Sequence, residues 1–150
     1  MLDDYSRYIL SWRLSKTMAA TDVEETLQMA LDKSDITQVK VKHRPRLLSD
    51  NGPCFVSHAL AKYLKRYRLT HIRSAPYHPM TQGKIERYHH SMKNVVKLET
   101  FCYPWDLEQA IAEFVDYHNH ERFHESLDNL TPANVYSGRI EEVKNKREEI

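Results

Sequence analysis

A chain of 150 residues with 41% hydrophobic and 10% aromatic content is long enough to bury one sizeable core and suits a globular protein. Its formal net charge of +1 supplies no global field to draw a polyanion, so any nucleic-acid surface must come from local clustering. The first apolar stretch carries Asp3, Asp4 and Arg7, so neither a signal peptide nor a membrane span is expected, and no membrane partner. Three glycines and no repeat or low-complexity linker point to one compact unit over residues 1–137, with a charged tail over 138–150. Tyr5 to Leu14, rich in aromatic and β-branched residues, reads as a strand. Thr21-Asp22-Val23-Glu24 reads as a capping box, after which Val23, Leu27, Ala30 and Leu31 share one helical face. Residues 46–49 form a short strand. Ser57 caps a second helix with Leu60, Tyr63, Leu64 and Tyr67 as its buried stripe.

Thr70 to Ser74 reads as a further strand, closed by Ala75-Pro76. A third helix is predicted from about Gln82 to Leu98, with Ile85, Met92, Val95 and Val96 inward. A fourth spans about Asp106 to His118, with Leu107, Ile111, Phe114 and Val115 inward. Thr131-Pro132 starts a last short helix with Pro at its first position. Strand, helix, strand, helix, strand and then a helical half predict an α/β fold, a mixed sheet covered by helices. Cys54 and Cys102 have no ligand spacing and need not pair, which points to a reducing compartment. His89-His90 and His118-Asn119-His120 lack the paired Cys/His pattern of a structural zinc site.

Charge is unevenly spread. Residues 40–46 and 62–73 are basic, and 84–97 add Lys84, Arg87, His89, His90, Lys93 and Lys97, while acids gather in 22–35 and in the tail. A basic middle fits a DNA-facing surface; it fits solvated helix faces equally well. Two carboxylates have a readable context. Asp50 ends the run Arg46-Leu47-Leu48-Ser49 and precedes Asn51-Gly52-Pro53. Glu86 lies early in the third helix, after His78-Pro79-Met80-Thr81-Gln82-Gly83-Lys84, a stretch able to close over a substrate or to serve as a plain helix lead-in. An acid at a strand end and another in a helix's first turns can converge, and two hard oxygen donors suit Mg²⁺ or Mn²⁺. Glu86, His90, Lys93 and Lys97 are spaced by four, three and four, so they share one polar helix face.

Leu-Leu-Ser-Asp50-Asn-Gly, followed by Ala-Pro-Tyr-His-Pro-Met-Thr-Gln-Gly-Lys-Ile-Glu86-Arg with Lys93 seven residues on, resembles the catalytic core of retroviral-type integrases. It is most similar to the related bacterial insertion-sequence transposases of the Asp-Asp-Glu type. Asp116-Tyr117-His118-Asn119-His120 through Leu127 resembles that group's Tyr-Asn…Arg…His…Leu stretch, and Thr131-Pro132 through Tyr136 its Thr-Pro-x-x-x-(Tyr/Phe) ending. Leu2-Asp3-Asp4-Tyr5-Ser6-Arg7 matches its Asp-x-(Tyr/Phe)-Ser-Arg hairpin, so the resemblance covers about residues 2–137. It implies a ribonuclease-H-like fold and a polynucleotidyl transferase that holds two Mg²⁺ or Mn²⁺ ions with three carboxylates. By position Asp50 is the second carboxylate and Glu86 the third. Lys93 matches the basic residue that contacts the DNA end, and Lys84, Arg87, His90 and Lys97 join it as DNA-binding candidates. Ser49, Asn51 and Gly52 shape the site.

The family's first catalytic Asp lies upstream of the hairpin at which this chain starts. Strand one and most of strand two are therefore expected to be missing, with Asp3 and Asp4 no substitutes for that ligand. A second metal is then expected to bind poorly, leaving the chain inactive alone. The expected partners are transposon ends and target DNA, with self-association in the intact protein, in the bacterial cytoplasm and on the nucleoid. A non-catalytic DNA-binding or assembly remnant and a ribonuclease-H-like nuclease are the alternatives.

Overall fold

Leu27 and Leu31, one helical turn apart on α1 (Ala20–Ser34), meet Leu60 and Leu64 of α2 (His58–Arg66) in a closed apolar cluster. The computed structural model describes residues 1–38, 40–74, 83–97 and 100–149. The chain packs as two units, Met1 with residues 10–83 and residues 2–9 with 84–150.

In the first unit α2 connects two parallel strands, β1 (Arg46–Ser49) and β2 (Thr70–Arg73), with Arg46 opposite Thr70 and Ser49 opposite Arg73. Parallel neighbours need such a crossover, and a helix supplies it. Ser57 caps α2 by accepting the Leu60 N–H at 3.2 Å. Val23, Leu47, Phe55, Tyr63, Tyr67 and Leu69 close around the leucine cluster. Gln28 of α1 accepts hydrogen bonds from the Tyr63 and Tyr67 hydroxyls at 2.7 and 2.8 Å, clasping the two helices. Burial pushes the Tyr63 phenol up to about 12, so it remains a donor. α1 begins earlier than the capping-box reading: Ala19 is the N-cap, and Asp22 reaches back to its N–H at 3.0 Å.

The second unit holds α3 (Gly83–Val96), α4 (Pro104–His120), α5 (Pro132–Tyr136) and α6 (Ile140–Glu148). Pro104 at the first turn lets α4 start two residues ahead of Asp106, whose carboxylate accepts the Tyr103 N–H at 3.2 Å. Ile111, Phe114, Val115, His118 and Asn119 are its buried face. Thr131 caps α5, and Leu130 and Pro132 are fully buried. Residues 140–148 of the charged tail wind into α6. It is tied to the Asp128–Asn129 turn by Lys144 on Asp128 and Arg147 on the Asn129 carbonyl, each at 2.7 Å.

The strand predicted over Tyr5 to Leu14 is replaced by a tight turn. Leu2 and Ile9 share one antiparallel bridge, Asp3 accepts the Ser6 N–H at 2.8 Å, and Arg7 takes a positive φ of 66°. The backbone of Ile9 is satisfied by a side chain: Asn119 Oδ1 accepts its N–H at 2.8 Å, and Asn119 Nδ2 donates to its carbonyl at 3.1 Å. One amide thus does the work of a neighbouring strand. The remaining architecture is α/β with a small sheet and mostly helix, as the sequence pattern predicts.

Candidate catalytic carboxylates and nucleic-acid interface

Asp50 follows the last residue of β1 and is exposed. Its Oδ1 accepts the Gly52 N–H at 2.8 Å, an Asx-turn that fixes one carboxylate oxygen. Oδ2 has no partner among the described residues. The strand end beneath it is cross-tied. Ser74 N–H donates to the Ser49 carbonyl at 2.9 Å, and Asn51 Nδ2 donates to the Ser74 carbonyl at 2.8 Å. Ser49, 3% exposed, gives its hydroxyl proton to the Asp50 carbonyl at 2.9 Å, so it accepts from His71 Nε2 at 2.8 Å. Burial, and then the neighbouring Arg73, lower the His71 pKa. Ser49, Asn51 and Gly52 shape this turn as their place in the sequence implies. His71 and Ser74 are additions, brought there by the parallel register of β1 and β2.

Glu86 stands exposed in the first turn of α3, where the helix dipole favours a carboxylate. His90, Lys93 and Lys97 are exposed along the same face, and His90 Nδ1 accepts from Asn94 at 3.2 Å. Arg87 is exposed as well. Lys84 is engaged: its Nζ lies 2.7 Å from Asp4 Oδ2 and 2.9 Å from the Asp4 carbonyl. α3 is held by Tyr88, 7% exposed, whose ring meets those of Phe114 and His118 at 5.9 and 5.1 Å. Tyr88 joins Ile85, Met92 and Val96 on the inner stripe, whereas Val95, predicted to face inward, is 49% exposed. The loop residues 78–82 ahead of Glu86 lie outside the described residues, as do Ala75, Pro76 and Leu98.

Asp50 belongs to the first unit and Glu86 to the second. Each offers exposed, hard oxygen, and neither makes an ion pair among the described residues. That donor chemistry fits Mg²⁺ or Mn²⁺. Among the described residues no helix is long and apolar enough to cross a membrane.

The sequence profile of the Integrase core domain family matches residues 1–79, and a second profile of the same description matches residues 67–132. The Gag-Pol polyprotein of bovine immunodeficiency virus is 39% identical over 72 residues, which are 47% of this chain and 5% of that polyprotein. The chain thus spans only a small part of the length of the curated relatives it matches. Among solved structures, the catalytic core domain of BIV integrase superposes with a TM-score of 0.63 at 24% identity, covering 89% of this chain and 80% of that one. The HTLV-2 integrase catalytic core domain in complex with magnesium, in its trimeric form, gives 0.63 at 20% identity over 89% and 79%. These likenesses show a ribonuclease-H-like fold. On the profile that covers more than half of it, the chain belongs to the integrase core domain family.

Proposed function

We propose that this chain serves DNA integration or transposition as a metal-dependent polynucleotidyl-transferase core, cutting a DNA strand and joining a 3′-hydroxyl end to a target phosphodiester. The observation that carries this reading is the Asp50 turn. Gly52 occupies one oxygen of this exposed carboxylate, at a strand end that hydrogen bonds from Ser74, Asn51 and His71 hold in place. Asp50 and Glu86 would hold a divalent ion, two in the intact family, and such an ion polarises a phosphoryl oxygen and lowers the pKa of the attacking hydroxyl. The exposed Lys93, Lys97, Arg87 and His90 of α3 position the DNA through its phosphates. Lys84 reaches DNA only by leaving Asp4. Self-association belongs to the same proposal, as does a place in the cytoplasm on nucleoid DNA; neither described cysteine is in a disulfide.

The test separates metal from DNA. Asp50→Asn and Glu86→Gln should each weaken Mn²⁺ binding, read by electron paramagnetic resonance, by about tenfold or more. Each should abolish any Mn²⁺-dependent cleavage or joining and leave duplex binding within about twofold of the parent, because phosphate contacts do not need the carboxylates. Lys93→Gln with Lys97→Gln should do the reverse. DNA binding that falls in step with Mn²⁺ binding in the carboxylate variants overturns the assigned roles.

A further inference from the structure

The cations of the first unit are segregated to a degree that the transferase reading leaves unused. Residues 40–74 carry nine Lys and Arg against one acid, a net +8, while the rest of the chain carries 13 against 20, a net −7. Part of that charge lines one place. Lys65, Arg68, Thr70 and His71 border an open groove of about 450 Å³ floored by Leu64 and Leu69. Lys62 stands exposed one turn earlier on α2. None of Lys62, Lys65 and Arg68 makes an ion pair among the described residues.

Arg68 is the telling residue. α2 ends in a Schellman turn, with Arg68 N–H on the Lys65 carbonyl at 3.1 Å and Leu69 N–H on the Leu64 carbonyl at 2.9 Å. The residue that crosses into the left-handed region there is Arg68, at φ 52°, where Gly would be at ease. Arg68 is thereby placed among the residues that line the groove. Lys65 and Arg66 in the last turn of α2 also offset the helix dipole. Lys62 lies ahead of that turn, so the dipole does not account for it. His71 ends the groove and is hydrogen-bonded to Ser49, the residue before Asp50. The groove lies at the end of α2 and the start of β2, and His71 links it to the residue before Asp50.

We propose that this groove binds the sugar-phosphate backbone of duplex DNA, as a surface additional to the polar face of α3. The proposal rests on the transferase reading and names where a further length of its DNA lies. An open, cation-edged groove suits a phosphate track; a small ligand would call for an enclosed pocket. Binding of this kind is independent of sequence and falls with salt, because each phosphate neutralised releases counterions.

The experiment measures binding of the chain to duplexes of unrelated sequence across a salt series. The triple variant Lys62→Gln, Lys65→Gln, Arg68→Asn removes three charges, with Asn chosen because it tolerates positive φ. Its affinity should fall about tenfold or more at low salt. The slope of log K against log salt should shrink by about 0.9 for each phosphate no longer neutralised, equally for every sequence, with Mn²⁺ binding unchanged. The charge-keeping triple Lys62→Arg, Lys65→Arg, Arg68→Lys should bind like the parent, and Arg68→Gly should raise the melting temperature while weakening binding. A Gln/Asn triple that keeps the parent's affinity and slope, while Lys93→Gln with Lys97→Gln weakens binding, overturns the groove and leaves the transferase reading standing. A charge-keeping triple that loses as much as the neutral one also overturns it. A parent chain that binds no duplex overturns both.

Discussion

A Cβ placed on Gly52 would lie 3.0 Å from Asp50 Oδ1, the atom that already accepts the Gly52 N–H at 2.8 Å. That is closer than a methyl group and a carboxylate oxygen settle, and it is the carboxylate, at the surface, that would yield. Gly52→Ala should therefore swing Asp50 off its Asx-turn and weaken Mn²⁺ binding by about tenfold, comparable to loss of a residue that orients a metal ligand. The unfolding free energy should move by less than about 1 kcal/mol, because the position is neither in the core nor at a positive φ. Mn²⁺ binding read beside urea unfolding checks this, and an unchanged metal affinity would show that the turn does not present the ligand. Asp50, Asn51 and Gly52 were legible because the turn is written in three adjacent residues. His71 and Ser74 were not, since they reach the same strand end only through pairing of β1 with β2, from 22 and 25 residues away.

Elements whose signal is local emerged where their residues predict them. β1 at 46–49, the Ser57 cap and the Leu60/Tyr63/Leu64/Tyr67 stripe of α2 each depend on neighbours within one or two turns. The N-terminal segment depends on something else. Tyr5 to Leu14 has the composition of a strand, but its geometry is set by Asp3 folding the chain back and by Asn119, 110 residues away, pairing with Ile9. Nothing in the spacing of Asn119 announces that role; a lone Asn in a helix's last turn usually reads as an approaching end. The consequence is measurable. Ile9 is 2% exposed and Asn119 3%, so Asn119→Ala strands a buried N–H and a buried C=O together. At about 1–3 kcal/mol for each unsatisfied group, the variant should lose roughly 2–4 kcal/mol in urea unfolding, several times the effect of an exposed substitution on α4 such as Glu113→Ala. A loss below about 0.5 kcal/mol would mean that water reaches Ile9 and that the amide is no clasp.

Across the whole molecule the amine and imidazoles that lose solvent contact on folding shift in one direction. The Met1 amine is lowered to about 6 and His124 to about 4, and His71, His89 and His118 are lowered too, in every case chiefly by burial. A base whose folded pKa lies below its unfolded value is held neutral by the fold. Its stabilising contribution is complete above the unfolded pKa and is lost as the pH falls toward the folded one. For His124 that window runs from 6.5 down to about 4, and for the other histidines it opens below 6.5. The second unit holds the sharpest case. His118 Nε2 donates to the Arg7 carbonyl at 3.1 Å; among the described residues its buried Nδ1 has no partner, nor has His124 Nε2, and the two rings lie 5.0 Å apart. Tyr88 and Phe114 pack on His118, and the charges facing the pair, Arg7 and Arg122, are both positive, so burial and repulsion outweigh the Arg7 carbonyl, which favours a proton on His118. His124→Phe keeps a ring in the space and removes both the orphan atom and the charge. With Trp12 replaced by Phe, Trp105 on α4 becomes the sole indole and reports this unit directly. Its denaturant midpoint should drop steadily between about pH 7 and pH 4.5 in the parent and much less in His124→Phe, the two converging near neutrality. If the two curves fall in parallel, the acid sensitivity belongs to other groups and the ring pair is inert packing.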